Sequence, residues 1–247
     1  DLGAMLVVQA PSTSPLNFLK LEAGLFAGNG IKTETDSRKD FIGHLSATRQ
    51  LNDDMRLGGG FSYYNGGVYQ GTSKVYTMSG SEFVVDDNAA NIGEYAKREY
   101  FGIDAQFQWL HDFGQTQIRG EYLWGTQPGG ATSSKSPNSS TLVAQDTYVR
   151  PCAGGYILLV QDLGHLPLSA SFKYDFYDPN TDLKGNEVGL GGSSKADVAY
   201  HTLGMGLIWR ATQALRFTAW YEKVKNETSD NLAGYTGDKK DDVLTLR

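Results

Sequence analysis

Apolar and polar residues alternate along much of the chain, the signature of strands that turn one face to an apolar medium and the other to water. From 101 to 109 one face carries Phe101, Ile103, Ala105, Phe107 and Trp109, while the other carries Gly102, Asp104, Gln106 and Gln108. The next segment sets Ile118, Gly120, Tyr122 and Trp124 against Gln117, Arg119, Glu121 and Leu123. Residues 168–177 repeat the pattern, with Leu168, Ala170, Phe172, Tyr174 and Phe176 opposite Ser169, Ser171, Lys173, Asp175 and Tyr177. So do residues 215–224, where Leu215, Phe217, Ala219 and Tyr221 oppose Arg216, Thr218, Trp220 and Glu222. Weaker copies lie at 16–27, 41–51, 55–65 and 200–209. Segments of about ten residues have the length of a tilted strand that crosses a bilayer.

The connections alternate between short and long. Short ones fall at 11–15, 52–54, 111–115, 162–165 and 211–213, and long ones at 28–39, 66–98, 126–147, 178–197 and 227–240. Tight turns at one end and large Gly/Ser/Thr/Asn/Asp-rich loops at the other are the layout of an antiparallel transmembrane β-barrel. A β-sandwich could use the same aromatics as core, but it would not sort its loops in this way. Trp109, Phe113, Trp124, Tyr177 and Trp209 near strand ends suit interfacial girdles. The predicted fold is therefore all-β, a single barrel domain over 1–247. It has ten strands and an eleventh at 241–247. Single-chain bacterial barrels use even strand numbers with both termini at the turn side. The odd count, the reversed start and the short last strand predict a portion of a longer barrel, incomplete at both ends.

Composition narrows the function. No apolar run exceeds the five residues of 4–8 and 156–160, so no membrane-spanning helix is encoded. With 22 Lys and Arg against 28 Asp and Glu, a net charge of -6 gives nucleic-acid binding no support. Cys152 is alone and the four His are scattered, which predicts no internal disulfide, no metal site and no cofactor. Gly-x-Ser-x-Gly is missing and no Ser, His and Asp have a defined spacing, so no enzyme is expected.

Several stretches resemble the phosphate-selective porin O/P family, in particular its members from the Bacteroides group. These are Leu25-Phe26-Ala27-Gly28-Asn29-Gly30, Lys39-Asp40-Phe41-Ile42-Gly43, Arg119-Gly120-Glu121-Tyr122, residues 173–181 (KYDFYDPNT) and Lys225-Asn226-Glu227-Thr228. The closing DVLTLR of 242–247 looks like the start of that family's last strand. The resemblance implies a 16-stranded outer-membrane porin of a Gram-negative bacterium, commonly a homotrimer, of which this chain is the C-terminal two-thirds. It also implies that the loop constricting the pore lies outside this chain.

On the inferred inward faces stand Lys20, Arg56, Arg119, Lys173, Arg216 and Arg247 against Glu22, Asp104, Glu121, Asp175 and Glu222, with His44 among them. Six against five predicts weak ion selectivity, since rings of side-chain charge govern passage through a narrow pore. Arg119 with Glu121, and Lys173 with Asp175, are expected to be wall ion pairs, and His44 a solvated lumen histidine. Residues 178–182 (DPNTD) read as a strand-ending turn rather than a calcium loop, and Gly58-Gly59-Gly60 as a place of curvature or close packing. The functional expectation is a passive porin for small hydrophilic solutes or ions, with phosphate and other anions as candidate cargo. The alternative is a non-conducting barrel that serves as scaffold in a larger envelope complex, its long loops plugging the pore or docking a partner.

Overall fold

The computed structural model describes residues 1–30, 32, 36–136 and 143–247. Its strands are β1 Gly3–Gln9, β2 Leu19–Phe26, β3 Asp40–Gln50, β4 Met55–Tyr69, β5 Lys74–Ser79, β6 Glu82–Asp87 and β7 Tyr95–His111. They continue with β8 Gly114–Gly129, β9 Thr147–Asp162, β10 Leu168–Asp178, β11 Tyr200–Arg210, β12 Arg216–Asn226 and β13 Val243–Leu246. β5 and β6 stand off the main path; the other strands pair in chain order from β1 to β13, every neighbour antiparallel. This is the up-and-down wall of a transmembrane β-barrel, open between β1 and β13. Among the described residues β1 pairs only with β2, and β13 only with β12.

Long strands follow from the unbroken alternation, and the turn chemistry stops them. Gly114, at φ 117°, closes the link after β7, a backbone setting that a side chain would strain. Asn52 accepts a hydrogen bond from the Asp54 amide at 3.0 Å in the link before β4, and the Thr212 hydroxyl accepts from the amides of Ala214 and Leu215 in the link before β12. The alternation of short and long connections holds throughout.

The sequence expectation differs from the structure in three places. The last strand is four residues long rather than the whole of 241–247. β2 begins at Leu19 rather than at 16, because the chain turns through hydrogen bonds from Ser14, Asn17 and Leu19 amides to the carbonyls of Pro11, Ser14 and Leu16. The expected irregular loop 66–98 instead extends β4 to Tyr69, starts β7 at Tyr95, and folds its middle into the β5–β6 hairpin. β5 also pairs with the loop end of β9, in parallel, through Val75, Tyr76 and Thr77.

Candidate functional site

The register divides the wall into two unlike faces. One exposes Leu21, Leu45, Leu57, Phe61, Ile103, Ile157, Met205 and Leu207. On this face Phe41, Tyr63, Phe101, Trp124, Tyr122, Phe176 and His201 form an unbroken chain of ring contacts, with centroids 5.1 to 6.2 Å apart. The chain crosses the wall from β3 to β11 near the loop end. Near the turn end, Trp109 packs on His111 and Trp209 on Phe217. Phe101 and Trp109 on β7, like His201 and Trp209 on β11, are eight residues apart. At about 3.3 Å per residue the two aromatic belts are separated by about 26 Å along the strand. Between them the face is apolar except for Lys223, beside Leu203 one step below the loop-end belt, and Arg49, beside Leu57 one step above the turn-end belt.

The opposite face carries every inward residue named from the sequence. One row of direct cross-strand neighbours runs Lys20, Ser46, Gly60, Asp104, Glu121, Tyr156, Asp175, Thr202. Glu22 and His44 sit one step toward the loops, and Arg119, Lys173 and Glu222 one step toward the turns. Arg56, Arg216 and Arg247 lie at or near the turn end, beside Gln50, Arg210 and Thr218 respectively. The basic residues therefore divide by height. At mid-wall Glu22, Asp104, Glu121, Asp175 and Glu222 face only Lys20, Arg119 and Lys173.

Pairing within this set departs from expectation in part. Lys173 does hold Asp175, at 2.9 Å, and also reaches Glu222 at 3.2 Å. Lys20 holds Glu22 at 2.7 Å. Arg119 and Glu121 do not pair: Arg119 leans the other way along its strand, toward Gln117 Oε1 at 3.4 Å. Both stay exposed. Nor is His44 simply solvated: its Nε2 lies 3.1 Å from Asp104 and its Nδ1 3.7 Å from Glu22. Gly60 makes room for the first contact, since a β-carbon there would overlap both His44 and Asp104. Tyr177, expected in a girdle, faces this charged side, where its hydroxyl meets Gln127 Nε2 at 3.4 Å.

A folded cap covers the loop end of the charged face. Tyr76 of the hairpin stacks on Tyr148 at 4.3 Å, and Phe83 meets the same ring edge-on at 5.1 Å. The Arg150 guanidinium lies over both Phe83 and Tyr148. It is 1% exposed, its Nε donating to Asp197 Oδ1 at 2.8 Å and its Nη1 to the Gly130 carbonyl at 3.0 Å. Asn180, buried at the start of the same loop, donates to Asp197 at 2.7 Å. The 178–182 stretch is indeed a turn, with Asp178 Oδ1 accepting from the Asn180 amide. Leu183, Val188, Val198 and Tyr235 form a small core of their own, against which Met78 of β5 packs. The Lys239 ammonium, 3.6 Å from the centre of the Tyr235 ring, holds the phenol below its ordinary pKa. Loops 70–94, 179–199 and 227–242 thus make one packed layer. The β5–β6 hairpin joins this layer to the loop end of β9 through Tyr76 and Phe83. Its sequence signal is a short alternation on either side of Gly80, which has φ 60°.

No protein-family model matches the chain, and no curated protein matches it significantly. Among solved structures it is similar to the ferric enterobactin receptor PfeA (G324V mutant) of Pseudomonas aeruginosa, at 12% identity and TM-score 0.47. That match covers 99% of this chain and 38% of that one. It is also similar to in-vitro folded OmpT, an outer membrane protein of Vibrio cholerae in a trimer form, at 11% identity and TM-score 0.45. Here the match covers 100% of this chain and 62% of that one. The chain thus spans less than two thirds of either protein, and its function has to be argued from the chemistry of its own wall.

Proposed function

We propose that this chain forms the wall of a passive outer-membrane channel for small hydrophilic solutes. The observation that carries the reading is the contrast between the faces: apolar residues exposed between two aromatic belts on one, half-exposed ionic groups at the same height on the other. Exposed apolar residues over about 26 Å of strand rise about 20 Å at a tilt of about 35–45°, and with the aromatic belts at either end they cover most of a hydrocarbon layer about 25 Å tall. Carboxylates and ammonium groups at that height need water, because transferring them unpaired into hydrocarbon costs far more than the wall could offset. The open edges of β1 and β13 would be satisfied by further strands that close the barrel, since unpaired backbone groups in lipid cost several kcal/mol each. The assembly that accompanies this reading is the homotrimer implied by the sequence resemblance, embedded in outer-membrane lipid.

The mid-wall excess of carboxylates argues against a phosphate-selective pore and for weak preference among ions. Arginines toward the turn end would soften even that. Planar-bilayer recording of the full-length protein tests the proposal: discrete ohmic steps are expected, and a purified, correctly folded protein that never conducts would end it. The packed loop layer favours a second reading, a closed barrel acting as scaffold in an envelope complex, and the same recording separates the two.

A further inference from the structure

We infer that the recess over Gly154 on the charged face binds a neutral saccharide. This rests on the channel reading and names its solute. Gly154 lies between Leu123 and Tyr177 in one cross-strand row, and Tyr156 lies between Glu121 and Asp175 in the next. With no side chain at 154, the wall opens there into a recess of about 470 Å³ lined by Leu123, Tyr156, Glu121, Lys173 and Asp175. That volume falls in the range of small-ligand sites, which are mostly apolar with a few directed polar groups.

The lining selects among solutes. A sugar ring offers an apolar C–H face and a rim of hydroxyls that both donate and accept. Tyr156, 39% exposed, presents a ring for the apolar face. Glu121 is exposed and has no ion-pair partner among the described residues, so its oxygens are available to accept from hydroxyls. Asp175 and Lys173, held together at 2.9 Å, add an acceptor and a donor at the same edge. An anion would meet two carboxylates here. An organic cation would meet Lys173, which Asp175 and Glu222 fix in place. A neutral polyol meets neither penalty and gains charge-assisted hydrogen bonds. Such bonds replace bonds to water, so the net affinity is low, which suits a site that must release what it takes up.

The test uses the full-length protein in planar bilayers, with glucose and maltotriose as probes. Sugar is expected to reduce the ion current in a saturable way that changes little between about 0.1 and about 1 M salt, since no net charge is bound. Tyr156→Ala should raise the half-blocking concentration about tenfold, Glu121→Gln similarly, and Tyr156→Phe little, because it keeps the ring. An open channel that neither sugar blocks, or that they block equally in Y156A and E121Q, would overturn the sugar site and leave the channel standing. Stronger block by tetramethylammonium, lost in E121Q and weakened by salt, would overturn it in favour of a cation. If the protein does not conduct, the channel reading falls, and saturation-transfer NMR of maltotriose with the detergent-solubilised protein then decides the site: signal lost in E121Q upholds it, and no signal rejects it.

Discussion

Lys173 Nζ lies 3.2 Å from Glu222 Oε1 across a strand to which neither residue belongs. Between them on β11 is Gly204, the direct neighbour of both. A glycine between contacting strands recurs twice, once on a diagonal, since His44 directly faces Ser62 rather than Gly60. His44 of β3 reaches Asp104 of β7 over Gly60 of β4, and on the apolar face Tyr122 of β8 reaches Phe176 of β10 over Gly155 of β9. Side chains on strands two apart stand about 10 Å apart at their backbones, twice the spacing of adjacent strands. A bare middle position leaves room for them to touch, whereas Arg210 of β11 and Asp162 of β9 meet with Ser169 of β10 bonded to both. The abundance of glycine thus has a positive role, because it lets contacts cross strands.

Gly204→Val should break this arrangement. A β-carbon at 204 would run into the Trp220 indole, which covers the glycine on the charged face. Overpacking of this kind costs about 1–3 kcal/mol. The thermal midpoint, read from heat-dependent mobility in SDS gels, should fall, whereas Gly237→Val, with open space around it, should leave it within error. Equal midpoints for the two variants would show that the indole moves aside at no cost.

The faces were legible from period two alone, and every charged residue assigned inward lies on one face. Ion partners were legible only in part: Lys173 with Asp175 forms as their spacing suggests. Arg119 and Glu121 look like a pair in the sequence, yet the further pairs that form are Lys173 with Glu222 and His44 with Asp104, which depend on register across three strands. Tyr177 shows the same limit: as an aromatic at a strand end it fits a girdle, but parity places it opposite the belt. The cap was hidden for a different reason. Its hairpin is only six residues a side, and its surroundings have the polar composition of any loop. Arg150 and Asp197 lie in segments whose meeting depends on tertiary packing.

The outer face should tolerate charge badly. Met205, midway between His201 and Trp209 on β11 and 48% exposed, would sit at the centre of the hydrocarbon layer. Met205→Arg is expected to destabilise insertion by about 2–4 kcal/mol, and Gln106→Arg, on the charged face of β7, by close to nothing. Folding titrations into lipid vesicles measure both. Similar values for the two would remove the sidedness on which the channel reading rests.

Arg150→Met tests whether the cap is a separate layer. It leaves Asp197, 0% exposed, without the guanidinium that neutralises it, and stranding one partner of a buried pair costs about 3–5 kcal/mol. The loss should appear locally. Limited proteolysis is expected to cut within 70–94 and 179–199 while the far-ultraviolet circular dichroism of the wall persists. Single-channel conductance should rise as the hairpin leaves the charged face. Loss of wall and cap together would mean that the hairpin's pairing with β9 is needed by the barrel itself.

Charge at mid-wall should set the sign of ion preference. Glu121 is exposed and has no ion-pair partner among the described residues, so Glu121→Gln removes one negative charge from the water-facing row with little rearrangement. Lys173→Gln removes the cation that offsets Asp175 and Glu222. A unit charge 4–8 Å from a passing ion in water interacts by about 0.5–1 kcal/mol, with opposite sign for cation and anion, so before screening each change should alter the cation-to-anion permeability ratio by about five- to thirtyfold. The directions are opposite: Glu121→Gln shifts the ratio toward anions and Lys173→Gln toward cations. Reversal potentials in a potassium chloride gradient read both, and added salt should shrink both shifts through screening. Shifts of the same sign, or none, would mean that ions pass elsewhere than along the row that joins Asp104, Glu121, Tyr156 and Asp175.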